Sequence, residues 1–487
     1  MGELKRFSRN SFFLALSYAL RFAAGLLVTV FVVKRVTLED FGDLSFALTL
    51  SAFFGIAADF GLPMLTVRNI AQDASAAPRY YRNVLTLKIL LSILAFAGVV
   101  LFVNLLGYPP QTKRVVYPIA AFMFISSLGT YHYFLFRGLE RMNLEAAASL
   151  IYNASLIVCV FGVVLLADGT FPVPVGHVTT GYLAAGIMSM VIIFALLGRH
   201  VGGPGLSVDL AFWRKLLKGS SYFAFFAMLG LIYIHVDTLM LSKLWPTDTK
   251  KEIALYQAPV RLLGAAVMIV AVVINVYLPL LSRRFKGPRE DFISLVKTLN
   301  RIGATMIAPI AVFTMIYSEN ILRFFCTPEY AASRPILIVL SVACLVWFAP
   351  PYGVVFMAMD KQRINFFVAA ACAGANVVLN LIFIPRYGGI AAAATTLATY
   401  MLQKAFYSIF SRKYLGAVLV GPRFAAALLL CAVLAGGLKL TSLHVLPAGM
   451  VFCALYAAFS YLFILSTEEK RLCLRLAGLT RGEEAQG

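Results

Sequence analysis

Long apolar stretches dominate this chain and limit it to one class of fold. About fourteen of them follow one another, each of roughly 18–25 residues and so long enough as a helix to cross a hydrocarbon core of ~30 Å. They are continuously apolar and too long for the alternating pattern of a membrane β-barrel. The sequence therefore predicts an all-α polytopic membrane protein with about fourteen transmembrane helices.

Composition supports this prediction. The chain has 487 residues, of which 61% are hydrophobic and 13% are charged, and its mean hydropathy is +0.85. These values lie outside the range of a soluble domain. The predicted spans are 10–33, 44–65, 83–106, 115–136, 144–167, 177–198, 219–242, 256–281, 292–316, 335–359, 364–384, 388–410, 423–438 and 446–465.

Basic residues are dense in every second connection between these stretches and sparse in the others. More than half of the 42 Lys and Arg residues fall on one side if the N-terminus is placed inside. Cytoplasmic connections retain Lys and Arg, so both termini are expected to be cytoplasmic. The net charge of +20 fits anionic lipids at the inner face, and no nucleic-acid partner is expected.

The chain divides into two groups of six helices. Residues Ser11–Phe13 and Ser221–Phe223 open the two groups with similar sequences. An even number of helices in each group predicts two lobes related by an axis along the membrane normal, around a central cavity. The predicted regions are an N-lobe at 1–200, a cytoplasmic linker with an amphipathic helix at 201–218, a C-lobe at 219–412, two further helices at 413–467 and a cytoplasmic tail at 468–487.

Several short motifs carry a family resemblance over essentially the whole chain. They are RVTLEDFG at 35–42, ADFGL at 58–62, RNIA at 68–71, and Asp237 followed by YQAPVR at 256–261. Their order and spacing resemble the O-antigen and teichoic-acid exporters of the multidrug/oligosaccharidyl-lipid/polysaccharide exporter superfamily. A proline that these proteins usually carry in the first outer loop is missing.

The resemblance implies a flippase that moves undecaprenyl-diphosphate-linked oligosaccharide from the inner to the outer leaflet by alternating access. Its partners would be this substrate, membrane lipids, and the polymerase and glycosyltransferases of the same pathway. A diphosphate cannot cross hydrocarbon unaided, so such a protein needs a hydrated, cationic cavity. Arg21 is too deep in the first span for easy snorkelling and is a candidate for this cavity, or for a structural pair.

Asp237 and Arg261 are predicted at matched depth on adjacent antiparallel helices, near the outer surface. One interpretation is a salt bridge that holds the two spans together. The other has Arg261 bind diphosphate while Asp237 changes partner during transport. His235 points about 200° away from Asp237, and is either a proton relay or a packing residue.

Asp59 and Arg68 are candidates for a gate or for ion coupling. Asp59 precedes Phe60-Gly61-Leu62-Pro63, and a proline-broken helix there would free backbone groups that its carboxylate could satisfy. The alternative for Arg68 is an ordinary charge at the inner surface.

Two rival classes remain. A cation-coupled multidrug antiporter of the same superfamily would be expected to carry more buried acid. A membrane glycosyltransferase or polymerase would need a catalytic constellation, which the small outer loops lack, so no enzyme is expected. The cysteines show no metal-like spacing and no Walker phosphate loop occurs, so neither a metal nor a cofactor is expected.

Overall fold

The computed structural model describes residues 17, 20–167, 171–201, 205–348, 351–416, 422–441 and 443–464. The predicted start of the first span, part of the linker and the predicted cytoplasmic tail lie outside the described residues. Within them the chain forms α-helices and short 3-10 or π segments, and no strand. The prediction of an all-α polytopic membrane protein is therefore confirmed.

The helices are numbered here in chain order. They are α1 (Leu20–Val33), α2 (Leu38–Asp59), α3 (Leu62–Gln72), α4 (Ala77–Leu105), α5 (Pro110–Gly138), α6 (Met142–Leu166), α7 (Val175–Leu197), α8 (Leu210–Leu244), α9 (Thr249–Val276), α10 (Leu278–Phe285), α11 (Arg289–Ile316), α12 (Ser318–Phe325), α13 (Arg334–Phe348), α14 (Tyr352–Ala358), α15 (Gln362–Leu415), α16 (Pro422–Leu440) and α17 (Val445–Phe459).

Ten helices among the described residues are long and apolar enough to cross a membrane, and two apolar helices are shorter. Each predicted span overlaps an observed helix. The 54-residue α15 contains two predicted spans, and it is interrupted at Gly388, whose φ of 57° and ψ of −136° are not helical. The break falls where the sequence predicts the boundary between spans 364–384 and 388–410.

The second predicted span, 44–65, is broken in the structure. Helix α2 ends at Asp59 because Phe60 and Gly61 adopt left-handed backbone angles, with φ of 42° and 70°. Helix α3 then starts with a proline in its first turn, where a missing N–H costs nothing. Gly61 lies against α8 so closely that a Cβ atom there would stand 2.5 Å from the Ser220 carbonyl oxygen.

The amphipathic segment predicted at 209–218 is the first part of α8. This helix runs for 35 residues without a break, or about 52 Å at 1.5 Å per residue, which exceeds the ~30 Å of hydrocarbon. Asp209 caps its start by accepting a 2.9 Å hydrogen bond from the Phe212 N–H, and it also pairs with Arg79 at 2.9 Å. The sequence predicts the helix correctly, but the segment continues into a span.

Contacts divide the chain into two compact units. The first comprises Met1–Ala265, Phe325–Tyr330 and Ala369–Thr395, and the second comprises Ala266–Phe324, Ala331–Val368 and Thr396–Gly487. In the first unit α5 packs on α2, α6 and α7 around a core that includes Tyr81, Tyr131 and Phe136. In the second unit α11 packs on α13 and α16. The predicted lobe boundaries at 201–218 stay a prediction.

Candidate functional site: charged and tyrosine side chains of the first unit

Arg21 lies in an ion cluster at the junction of three helices. Its guanidinium is 3.5 Å from the Glu145 carboxylate and 4.8 Å above the Tyr133 ring. Glu145 is fully buried in the first turn of α6 and is also bound by Arg137 of α5, through Nε at 3.1 Å and through Nη2. One buried carboxylate thus faces two guanidinium groups.

This geometry supports the interpretation of Arg21 as a member of a structural pair, but part of its side chain stays exposed. Arg21 is 32% exposed, whereas Glu145 has no exposed surface. The pair is thus enclosed on the side of the acid and partly open on the side of the arginine. The sequence analysis missed Glu145 and Arg137; their positions on either side of the short α5–α6 turn were the signal.

Arg261 is surrounded by aromatic side chains of the same unit. Its guanidinium is 5.4 Å from the centre of the Phe41 ring, and it interacts electrostatically with Tyr182 and Tyr330. The arginine is only partly buried, and within the described part of the chain no carboxylate lies within ion-pair distance of it. It combines a fixed cation with accessible surface.

Two tyrosines connect the two arginines. Tyr152 interacts electrostatically with Arg21 and with Tyr182, and Tyr182 interacts in turn with Arg261. We call Arg21, Tyr152, Tyr182 and Arg261 the arginine–tyrosine surface. Guanidinium groups match phosphate oxygens bidentately, and phenol hydroxyls both donate and accept hydrogen bonds. The two guanidinium groups can therefore bind anions, and the partly exposed Tyr152 can contact hydroxyl groups, whereas Tyr182 is buried.

The predicted salt bridge between Asp237 and Arg261 is wrong. Asp237 is buried and accepts hydrogen bonds from the Tyr256 hydroxyl and, at 2.7 Å, from the Thr238 N–H. Gln257 joins the same two helices through a 2.5 Å hydrogen bond to Thr238. Tyr256 and Arg261 are five residues apart, about 140° around a helix, so they cannot both face Asp237.

His235 lies on a different face of α8 from Asp237, as the sequence predicts. It interacts electrostatically with Arg261 rather than with the Asp237 group. Its buried Nδ1 atom has no hydrogen-bond partner among the described residues. His235 is therefore close to Arg261, and both interpretations of it, as a proton relay or a packing residue, stay predictions.

Asp59 belongs to a partly buried polar group that joins three helices. Its carboxylate is bound by the Lys88 ammonium of α4 and accepts a 2.8 Å hydrogen bond from Ser127 of α5. Lys88 also donates to Ser127 at 2.7 Å. The carboxylate thus connects α2 to α4 and α5, whereas the sequence predicts that it accepts hydrogen bonds from backbone groups at the end of its own helix. Lys88 falls within the predicted span 83–106, but the sequence does not identify Asp59 as its partner.

Arg68 is exposed on α3. Its Nε atom donates to the neighbouring Asn69 side chain at 3.2 Å, and its guanidinium is 6.0 Å from the Phe223 ring of α8. These contacts favour the interpretation of Arg68 as a surface charge over that of a gate. The described residues contain no cluster of three or more His, Cys, Asp or Glu side chains that could hold a metal ion.

Solved structures show the class of protein to which this fold belongs. The chain resembles the lipid II flippase MurJ in its inward closed conformation, with a TM-score of 0.68 and 17% identity over 93% of this chain and 100% of that one. It also resembles an inward-facing multidrug resistance MATE transporter of the MOP superfamily, with a TM-score of 0.61 and 13% identity over 88% and 96% of the two chains. The chain therefore shares the fold of these multi-pass membrane proteins.

The family follows from the sequence itself. Residues 7–285 match the polysaccharide biosynthesis protein family, and because this range covers more than half of the chain, the chain belongs to that family. A relative in Bacillus subtilis (strain 168), the uncharacterized membrane protein EpsK, is 22% identical over 93% of this chain and 95% of its own length. The predicted membership among polysaccharide exporters is confirmed at this level.

Proposed function

We propose that this protein is a flippase that moves undecaprenyl-diphosphate-linked oligosaccharide, an O-antigen or related surface-polysaccharide repeat unit, from the inner to the outer leaflet by alternating access. The observation that carries the proposal is the arginine–tyrosine surface. A diphosphate-linked sugar requires cations for its phosphates and hydroxyl groups for its sugars. Arg21 and Arg261 supply the cations and the partly exposed Tyr152 supplies a hydroxyl, all within one unit of the fold.

The guanidinium groups of the site support an anionic substrate. Arg21 and Arg137 both contact the Glu145 carboxylate, and Arg261 lies 5.4 Å from the centre of the Phe41 ring. Charges inside a membrane span are costly and usually functional. We propose that substrate phosphates bind Arg21 and Arg261. Under this proposal the oligosaccharide carrier is the substrate, membrane lipids surround it, and a polymerase and glycosyltransferases act before and after it, in the inner membrane with both termini cytoplasmic.

A leaflet assay tests the proposal. Arg21→Ala and Arg261→Ala, separately and together, would be introduced into a strain in which undecaprenyl-linked intermediates are measured on each leaflet. We expect intermediates to accumulate on the inner leaflet and surface glycan to fall. Arg323→Ala is a matched control, since Arg323 is exposed and pairs with Glu319 four residues away. Normal surface glycan in the double variant would overturn the site.

A cation-coupled multidrug antiporter is the second candidate, and Asp59 favours it. This carboxylate is 42% exposed although its partner Lys88 is 1% exposed, so a proton or cation could reach it from the open side. The likeness to MATE transporters fits the same class. Export of small basic compounds that stops in Asp59→Asn, with normal handling of lipid-linked sugars, would decide for the antiporter.

A further inference from the structure

An apolar cavity of about 510 Å³ lies between α2, α4 and α8 in the first unit. Five phenylalanine rings contribute to its wall, together with aliphatic side chains and Met228. Ser221 is the polar side chain in the lining, and its hydroxyl is occupied by a 3.0 Å hydrogen bond to the Lys218 carbonyl oxygen. The cavity therefore offers no group that would orient a polar ligand.

The break in α2 closes the cavity at one end. Phe60 lines it, and the adjacent Gly61 brings α2 against Ser220 and Ala224 of α8. Farther along α2, Phe54 lies against Gly98 of α4 and meets Phe102 edge-to-face at 6.0 Å, which forms the far wall. The backbone geometry at Gly61 and the ring packing at Phe54 thus shape the cavity.

The open side of the cavity faces the surroundings of the protein. Phe225 and Met228 line it and are also exposed on α8, within an apolar stretch long enough to span a membrane. An apolar cavity within such a stretch suits the apolar chain of a membrane lipid.

Charge at the closed end identifies the kind of chain. Lys218 and Arg68 are exposed beside it, and Arg68 lies 6.0 Å from the Phe223 ring. Both belong to segments that the charge pattern places at the cytoplasmic face. We propose that the cavity binds the polyisoprenoid tail of a diphosphate-linked lipid, with the diphosphate near Arg68 and Lys218 before transport. This assignment rests on the proposed function and adds the position of the tail.

The lining suits an isoprenoid tail. Its aromatic rings offer flat apolar walls that match the planar alkene units and methyl branches of an isoprenoid. The cavity and the arginine–tyrosine surface both belong to the first unit.

The test is photo-crosslinking of the full chain in nanodiscs, with undecaprenyl diphosphate that carries a diazirine in its tail. We expect crosslinks to map to α2 and α8 around Ala57 and Met228. Ala57→Trp should fill the cavity, because Ala57 lines it and is exposed. Binding should weaken about tenfold, as expected if roughly two methylene-sized groups lose their burial.

Controls separate the possible causes. Met228→Trp fills the cavity from α8, and it should weaken binding as Ala57→Trp does. Val433→Trp places the same ring on an exposed position of α16 in the second unit, and it should leave binding unchanged. Displacement of the probe by an equal amount of phosphatidylglycerol would indicate a general lipid site and overturn the proposal. Crosslinks confined to other helices, or unchanged binding in both filled variants, would also overturn it.

The same experiment keeps the two proposals apart. Arg21→Ala with Arg261→Ala should leave the tail crosslinks in place, because neither arginine lines the cavity. Tail crosslinks at α2 and α8 combined with normal surface glycan in that double variant would reject the flippase site while retaining the lipid-tail site. Loss of the tail crosslinks in that variant would reject the tail site as a separate element.

Discussion

The Lys88 ammonium of α4 donates a hydrogen bond to the carboxylate of Asp59 on α2, and the two side chains of this pair differ greatly in exposure. Lys88 is 1% exposed and Asp59 is 42% exposed. A charge that loses its partner costs most where the surroundings cannot solvate it. The two halves of the pair should therefore respond unequally to mutation.

The first prediction follows from that inequality. Asp59→Asn leaves a buried ammonium and should lower the free energy of unfolding by about 3–5 kcal/mol. Lys88→Met leaves a carboxylate that still accepts from Ser127 and has an open side, and should cost only about 1–2 kcal/mol. Thermal unfolding in detergent measures both. The double variant should be more stable than Asp59→Asn alone; equal losses in the two single variants would contradict the asymmetry.

The second prediction concerns pH and the start of α8. The Phe212 N–H, and after it the Arg79 guanidinium, hold the pKa of Asp209 below its ordinary value. Since the folded-state pKa is the lower one, the stabilisation is complete above the unfolded-state pKa of about 3.9 and is lost as pH falls through the folded-state pKa. Asp209→Asn should therefore lower the midpoint of thermal unfolding at neutral pH.

The comparison across pH is the check on Asp209. The difference in midpoint between the natural protein and Asp209→Asn should be constant from about pH 7 to pH 5 and should shrink below about pH 4. A difference that grows on acidification would reverse the assigned sign. Because Asp209 lies at the surface, the whole effect should also weaken at high salt.

The third prediction concerns Gly388, which interrupts α15. Its φ of 57° is strained for any residue with a Cβ atom, and such an atom would lie 2.5 Å from Oε1 of Glu252. That carboxylate is fixed, because it accepts a 2.5 Å hydrogen bond from the Gly389 N–H. Gly388→Ala should lower the free energy of unfolding by about 1–3 kcal/mol.

Gly374 on the same helix provides the matched control. It is in a helical stretch, and a Cβ atom there would have nothing within 4 Å. Gly374→Ala should be neutral or stabilising by up to about 1 kcal/mol, because alanine favours a helix. Equal effects at the two glycines in a thermal melt would show that the backbone angle at Gly388 carries no strain.

Sequence reasoning located most of the helices because their cause is local. Each apolar stretch encodes its own span, so the boundary at Gly388 and the helix at 209–218 were both anticipated. The break after Asp59 was assigned to Pro63, but the left-handed residues are Phe60 and Gly61, and the close contact with Ser220 that requires a glycine comes from a distant segment. Nothing near residue 61 in the sequence announces residue 220.

The site was predictable only in part for the same reason. An intramembrane charge such as Arg21 is evident from the sequence, but its partner Glu145 lies more than a hundred residues away at the start of another helix. Tyr152 and Tyr182 carry no signature among the 22 tyrosines of the chain. The sequence predicts that Asp237 and Arg261 lie at similar depth on neighbouring helices. It does not predict the direction in which each side chain points around its helix, and that direction determines which residue Asp237 contacts.

The fourth prediction tests that rotation directly. Tyr256→Phe removes the hydroxyl that donates to the buried Asp237, and should lower the free energy of unfolding by about 1–3 kcal/mol, the cost of a buried acceptor that loses a partner. Arg261→Met, which keeps a long apolar side chain over Phe41, should cost less than about 1 kcal/mol. A double-mutant cycle with Asp237→Asn should give a coupling energy for Tyr256 and about zero for Arg261, since groups without a shared contact act additively. If the coupling energy between Asp237 and Arg261 were as large as that between Asp237 and Tyr256, the result would support the salt bridge and contradict the contacts in the structure.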